Sequence, residues 1–143
     1  MEIKFTVPGE PKGKGRPRFA PSTGHAYTPR DTVIYENLVR TEFQAAAKGR
    51  KFPDDMALDL RIIAYYSIPK SDSRKKRKQK LCGILRPSKK PDMDNVVKAV
   101  ADSLNGFAYH DDTQIVDCQV RKFYSETPRI VVTIREAVYP RQG

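Results

Sequence analysis

A chain of 143 residues that is 38% apolar fills one modest core and little more, which fits one compact domain, or one domain with a mobile arm. Lys and Arg number 27 against 17 Asp and Glu, a formal charge of +10 that draws polyanions, nucleic acid first among them. A merely solubilising surface is the plainer explanation of that charge.

No apolar run approaches the roughly 20 residues needed to span a bilayer. The opening MEIKFTVPGE lacks the basic, apolar and small-residue order of a signal peptide, so a cytoplasmic protein is expected. Cys82 and Cys118 stand far apart without CxxC or Cys/His spacing, which argues against a zinc site and against a lone disulfide. Both are expected to be buried as small apolar groups.

In chain order, Ile3, Phe5 and Val7 alternate with Lys4 and Thr6, a half-buried strand ended by Pro8-Gly9. The basic loop 10–18 follows, with Lys12, Lys14, Arg16 and Arg18 set among Gly and Pro. It cannot form a helix, and it offers basic side chains and bare backbone N–H groups together, as phosphate contacts require. PSTGHAY carries turn chemistry and closes a short hairpin. From Thr32 to Lys48 the apolar Ile34, Leu38, Val39, Phe43 and Ala46 recur at helical spacing, with Gly49 as the stop. Leu58, Leu60, Ile62, Ala64 and Tyr66 alternate along a second strand ended by Pro69. These stripes are core and carry no chemistry.

Residues 70–90 hold ten Lys or Arg and one acid, Asp72. Ser71 or Ser73 would cap a short helix there. Its like charges repel, so the segment is expected to be mobile until a polyanion binds. Arg74, Lys75, Lys76, Arg77, Lys78, Lys89 and Lys90 are its candidate phosphate contacts, and a solvated charged face is the alternative. Met93, Val97, Val100 and Leu104 then mark an amphipathic helix beginning near Asp92 or Asp94 and stopped by Asn105-Gly106. Val116, Cys118 and Val120 alternate along a strand, Ile130, Val132 and Ile134 along another, joined by a hairpin through Ser125 to Pro128. The expected fold is α+β: one small domain in which a mixed β-sheet packs against two main helices.

A basic chain that places Asp92 and Asp94 after Lys89-Lys90, and Asp111-Asp112 one helix later, concentrates acid where phosphate binding alone would not want it. Mg²⁺ takes one or two carboxylates, with water and substrate phosphate completing an octahedron. Phosphodiester hydrolysis needs an activated water and a neutralised phosphate, and a bound divalent cation supplies both. Lys98 lies one helical turn after Asp94, placed to stabilise the transition state. Plainer explanations exist: Asp capping a helix, an Asp94–Lys98 surface ion pair, and an Asp-Asp turn. An Asp-x-Asp pair alone is a weak signal.

The ordered set D-M-D-N-V-V-K-A-V-A-D-S-L-N-G, then Asp111-Asp112, then Q-I-V-D and an alternating strand, resembles the RusA family of Holliday junction resolvases. K-G-R-P-R-F and the Y-T-P before the first helix add to the likeness, which covers most of the chain and is strongest over residues 90–121. The resemblance implies a homodimeric, Mg²⁺-dependent endodeoxyribonuclease, with Mn²⁺ as a substitute. Such an enzyme binds four-way DNA junctions and nicks opposed strands in pairs during recombination and repair. It further implies that Asp92, Asp94 and Asp112 are the metal-binding catalytic acids, Lys98 the catalytic lysine, Asp111 a supporting neighbour and Asn95 an orienting or capping residue. The basic insertion before Asp92 and the Lys/Gly-rich N-terminal loop depart from the best-known bacterial member. Cleavage preference, set by DNA-contacting residues outside the acid cluster, is therefore not carried over.

Two other functions fit the residues: a non-catalytic nucleic-acid-binding module whose acids are helix caps, and a small protein whose basic face meets an acidic partner. His25 and His110, the only histidines, suggest no triad, and no Walker loop is present, so no nucleotide cofactor is expected. Phe107 and Tyr109 read as packing residues.

Overall fold

The N-terminal alternation becomes strand β1, Glu2–Pro8, with Ile3, Phe5 and Val7 buried and their neighbours exposed. The computed structural model describes residues 1–14, 18–19, 24, 26–27 and 29–138, and for 18–19 and 26–27 the backbone only. Arg16, His25 and the side chain of Arg18, all singled out in the sequence, lie outside the described residues. The short hairpin forms as β2, Arg18–Phe19, antiparallel to β3, Ala26–Tyr27.

Helix α1, Arg30–Ala47, buries Thr32, Tyr35, Val39, Phe43 and Ala47. That stripe differs from the one expected: Ile34 is exposed, while Leu38 and Ala46 are only half-buried at its rim. Tyr35 and Ala47, spaced by fours from Val39 and Phe43, take the inner line instead. Phe43 meets Phe5 edge to face with ring centroids 5.8 Å apart, which ties α1 to the sheet. The helix ends one residue before the expected stop, because Lys48 itself adopts the left-handed conformation (φ 52°) and donates to the Gln44 carbonyl.

Strand β4, Leu58–Tyr66, lies inside a four-stranded sheet of order β1-β6-β4-β5, with β5 spanning Ile115–Tyr124 and β6 Arg129–Glu136. β4 runs parallel to β5 and antiparallel to β6, which is antiparallel to β1, so the sheet is mixed as expected. The expected β5–β6 hairpin does not form. Ser125 N–H donates to the Tyr66 carbonyl (2.9 Å), so the chain turns over the end of β4 and re-enters on its other edge. β4 is thereby paired along both edges, which satisfies its backbone groups on each side.

Among the described residues three helices accompany the sheet: the two main ones expected and, in addition, the short one expected in the basic segment. The addition is α2, Arg74–Leu81, in the basic segment, where Ser73 caps by accepting from Lys76 N–H (3.2 Å). An ion pair between Asp72 and Lys80, each side chain 8% exposed, pins the segment, and the Lys80 ammonium lies 4.6 Å from the Tyr124 ring centroid. Helix α3, Met93–Ser103, packs against α1 and β5. Its buried line is Val96, Ala99, Val100, Ser103 and Leu104, whereas Met93 is exposed and Val97 half-buried. Among the described residues no helix is long and apolar enough to cross a membrane.

Because β5 is an edge strand, its expected apolar stripe is largely open: Val116 is 61% exposed. Both cysteines are free and exposed, not buried as expected. Tyr109 is fully buried, with its hydroxyl donating to the Ala101 carbonyl, but Phe107 lies at the surface under the Arg40 guanidinium.

Candidate active site

Helix α3 begins at Asp92, whose extended backbone (φ −74°, ψ 168°) makes it the N-cap and whose carbonyl accepts from Val96 N–H. Its carboxylate makes no capping bond. Capping therefore does not explain this acid. Asp92, Asp94 and Lys98 are all exposed, and none of them has an ion-pair partner within 4.0 Å among the described residues. The Asp94–Lys98 surface pair is thus not formed.

Asp94, Lys98 and Asp102 succeed one another by four residues along one stripe of α3. They face a groove of about 420 Å³ whose other walls include Val97, Asp112, Ile115 and Cys118. Asp112 opens the single 3-10 turn Asp112–Gln114 that leads into β5. Its carboxyl is pushed above the usual range by partial burial, by the adjacent Asp111 charge and by the nearness of Asp102; the Asn105 amide opposes this. Lys14 stands 3.7 Å from Asp102, yet the Asp112 carboxyl is still raised, a crowding that a divalent ion would relieve.

Asp111 points elsewhere. It caps the 3-10 turn by accepting from Thr113 N–H (3.1 Å), and the Thr113 side chain first, then this backbone bond, hold its carboxyl below the usual range. Gln114 completes the cap by accepting from His110 and Asp111 N–H, and its amide donates to the Pro53 and Met56 carbonyls. This turn fixes where Asp112 stands. His110 is exposed and contributes only its backbone here.

Asp92 faces a different neighbourhood. It is close enough to Tyr66 and Lys122 to act on both: Tyr66 is raised to about 12 by burial first and by Asp92 second, while burial lowers Lys122 and Asp92 opposes that. Tyr66 donates to the Pro91 carbonyl (2.6 Å) and Lys122 to the Lys89 carbonyl (2.7 Å), so two side chains from the sheet hold the run that enters α3. Among the described residues, no three acidic, cysteine or histidine side chains converge closely enough to enclose an ion. The structure brings Asp94, Lys98 and Asp112 to one groove and leaves Asp92 outside its lining, beside Tyr66 and Lys122.

The basic residues divide likewise. Lys12, Arg74, Lys75, Lys76, Lys78, Lys89 and Lys90 are exposed. Arg77 pairs with Glu126 at 3.4 Å. Lys14 turns inward to Glu36 and stands 3.7 Å from Asp102, joining the N-terminal loop to the groove. Lys14 N–H also donates to the Asn95 carbonyl, and a Cβ on Gly13 would lie 3.0 Å from that of Asn95, so only glycine fits this crossing comfortably. Sequence reasoning missed Asp102, Asn105, Tyr66 and Lys122. For Asp102 a signal existed, its fourfold spacing from Asp94 and Lys98.

Similarity to known proteins extends over nearly the whole chain. The family described as "Endodeoxyribonuclease RusA" matches residues 8–135, which contain every groove residue named above. A relative from Bacillus subtilis (strain 168), "Uncharacterized protein YqaN", is 41% identical over 138 residues, covering 94% of this chain and 96% of its own.

Proposed function

This chain belongs to the RusA endodeoxyribonuclease family, and from that premise we propose that it is a divalent-metal-dependent nuclease that resolves four-way DNA junctions by paired nicks in opposed strands. The observation that carries the proposal is the groove in which Asp94, Lys98, Asp102 and Asp112 meet on a chain of net charge +10. Acids gathered within a basic surface suit chemistry on a phosphate better than they suit phosphate binding.

The fit to a metal rests on the carboxyl crowding at Asp112. One or two carboxylates with water and phosphate satisfy Mg²⁺, so a cluster of three protein ligands is not required. Asp94 and Asp112 would hold it, with Asp92 contributing from the start of the helix and Asp111 supporting through the turn. Once bound, the cation would neutralise the scissile phosphate and activate a water; Mg²⁺ is the proposed ion and Mn²⁺ a substitute. Lys98 carries its positive charge on the same groove and would stabilise charge developing on the phosphate. The exposed lysines and arginines of α2 and of the loop before α3 would draw in the DNA backbone and position it. A two-fold homodimer would set two such grooves against symmetry-related strands.

Incubating the full chain with a synthetic four-way junction, in Mg²⁺ and in EDTA, tests the proposal. Symmetric nicks in Mg²⁺ alone are expected. Binding without nicking would bring forward a second reading, a basic module that binds nucleic acid and does not cut it.

A further inference from the structure

The sheet face turned away from α1 and α3 carries a row of residues that the acid groove does not use. In the strand register Tyr65 on β4 stands opposite Arg129 on β6 and opposite Phe123 on β5, so three adjacent strands present Arg, Tyr and Phe side by side. The two rings lie 6.2 Å apart with a 31° tilt. The Arg129 guanidinium stands 4.0 Å from the Tyr65 ring centroid; those of Arg86 and Arg121 stand 4.2 Å and 4.8 Å from that of Phe123. Arg86 donates to the Lys122 carbonyl (3.0 Å) at the edge of β5, and Arg129 to the Thr127 carbonyl (2.8 Å) and the Ser125 hydroxyl (3.1 Å).

None of these three guanidiniums has a carboxylate within 4.0 Å among the described residues. Elsewhere on the same face the chain does compensate: Asp59 takes Arg61 at 3.2 Å and Arg135 at 3.1 Å. An arginine over an aromatic ring is ordinary surface structure. Three of them around adjoining rings, each without a counter-charge, repel one another, and the stacking has already removed much of the freedom they would lose on binding an anion.

We propose that this row is a second DNA contact that takes an unpaired strand, its phosphates on the free guanidinium edges and its bases against the guanidinium and ring planes. The charge calls for an anion, and the planar groups call for one that brings its own π-faces. A nucleic acid strand supplies both, and an acidic peptide supplies the first alone. Duplex DNA hides its bases in the stack and would leave the planes unused. The proposal rests on the nuclease reading only in naming DNA as the ligand.

The test is fluorescence anisotropy of the full chain in EDTA, with a labelled twelve-nucleotide oligothymidylate and a twelve-base-pair duplex as probes. Tyr65→Leu should weaken oligothymidylate binding about tenfold and duplex binding less than about twofold, since one stacked base is worth roughly that factor. Arg121→Gln, at an exposed position where folding is not at stake, should lower the salt slope of oligothymidylate binding by about one. Unchanged oligothymidylate affinity in both variants, or an equal loss on the duplex, would overturn the proposal. So would a change in sedimentation of the free protein, which would mean that a second copy covers the face. Failure of Mg²⁺-dependent nicking by the unmodified chain would sink the nuclease reading alone, because these measurements need no metal.

Discussion

Asp102, in the last turn of α3, and Asp112, at the start of the turn that feeds β5, line the same groove, and Asp102 helps hold the Asp112 carboxyl above its usual range. The groove thus joins two acids that the chain separates by a whole loop.

It also sets a pH dependence. The folded chain holds the Asp112 proton more tightly than the unfolded chain does, because burial and its acidic neighbours oppose ionisation. This group therefore favours folding at low pH, and it opposes folding increasingly as pH rises from the ordinary carboxyl range through its raised value. Asp112→Asn should melt higher than the unmodified chain at pH 7 in EDTA, and the difference should vanish toward about pH 4. The same variant should lose nicking. Melting curves at the two pH values check the sign; a variant less stable at pH 7 would contradict it.

Asp94 contributes no structural contact among the described residues that its loss would disturb. Asp94→Asn should fold normally, bind a four-way junction in EDTA as well as the unmodified chain does, and nick it at least about 100-fold more slowly in Mg²⁺. Single-turnover cleavage beside a gel-shift titration separates the two properties. Near-normal cleavage would remove Asp94 from the site.

Element order was legible in the sequence because alternation, helical spacing and capping signals report local structure directly, and eight of the expected elements reappear with small boundary shifts: β1, the β2–β3 hairpin, α1, β4, α2, α3, β5 and β6. What remained illegible has physical causes. The Ser125–Pro128 connection is short enough for a hairpin, and only the pairing of β4 along both edges decides against one. The buried line of α3 runs through Ala99 and Ser103, which are too small or too polar to register as apolar. In the site, Asp92, Asp94, Lys98 and Asp112 were read as one constellation; the structure brings the last three to one groove and leaves Asp92 outside its lining. The Tyr66 and Lys122 tethers were not, because they come from the core-facing side of the sheet, where a tyrosine and a lysine in alternation read as packing and solvent.

Lys75 and Lys76 are exposed on α2 and have no ion-pair partner within 4.0 Å among the described residues. If they meet phosphates, each releases about one counterion on binding. The double change Lys75→Gln, Lys76→Gln should lower the slope of log affinity against log salt by roughly two for any junction sequence. Gln keeps the helix propensity, so circular dichroism should not move. An unchanged slope would assign α2 to plain solvation.

The Asp72–Lys80 pair is the converse case, a lysine of the basic segment committed to the interior. Asp72→Ala would leave a buried ammonium without its partner, and breaking such a pair costs about 3 kcal/mol or more. Urea unfolding should show that loss, while Asp72→Ala combined with Lys80→Met should recover most of it. A single variant as stable as the parent would mean that Lys80 swings out to water.

Tyr66 ties the sheet to the entrance of α3 through its 2.6 Å bond to the Pro91 carbonyl, one residue before Asp92. Lys122 makes the parallel tie to Lys89. Neither side chain is placed to reach a phosphate in the groove, so each acts by orienting the start of the helix. Tyr66→Phe removes one hydroxyl and keeps the ring under Lys122, at a stability cost of about 1 kcal/mol. If orientation is the role, nicking should fall several-fold while junction binding in EDTA holds. Because the Tyr66 hydroxyl is raised to about 12, it stays protonated and able to donate well above neutral pH. The ratio of parent to variant nicking rates should then stay level from about pH 7 to pH 10. A ratio that collapsed across that range would mean that the hydroxyl ionises in the working enzyme, and Tyr66 would have to be counted among the groups exchanging protons with the substrate.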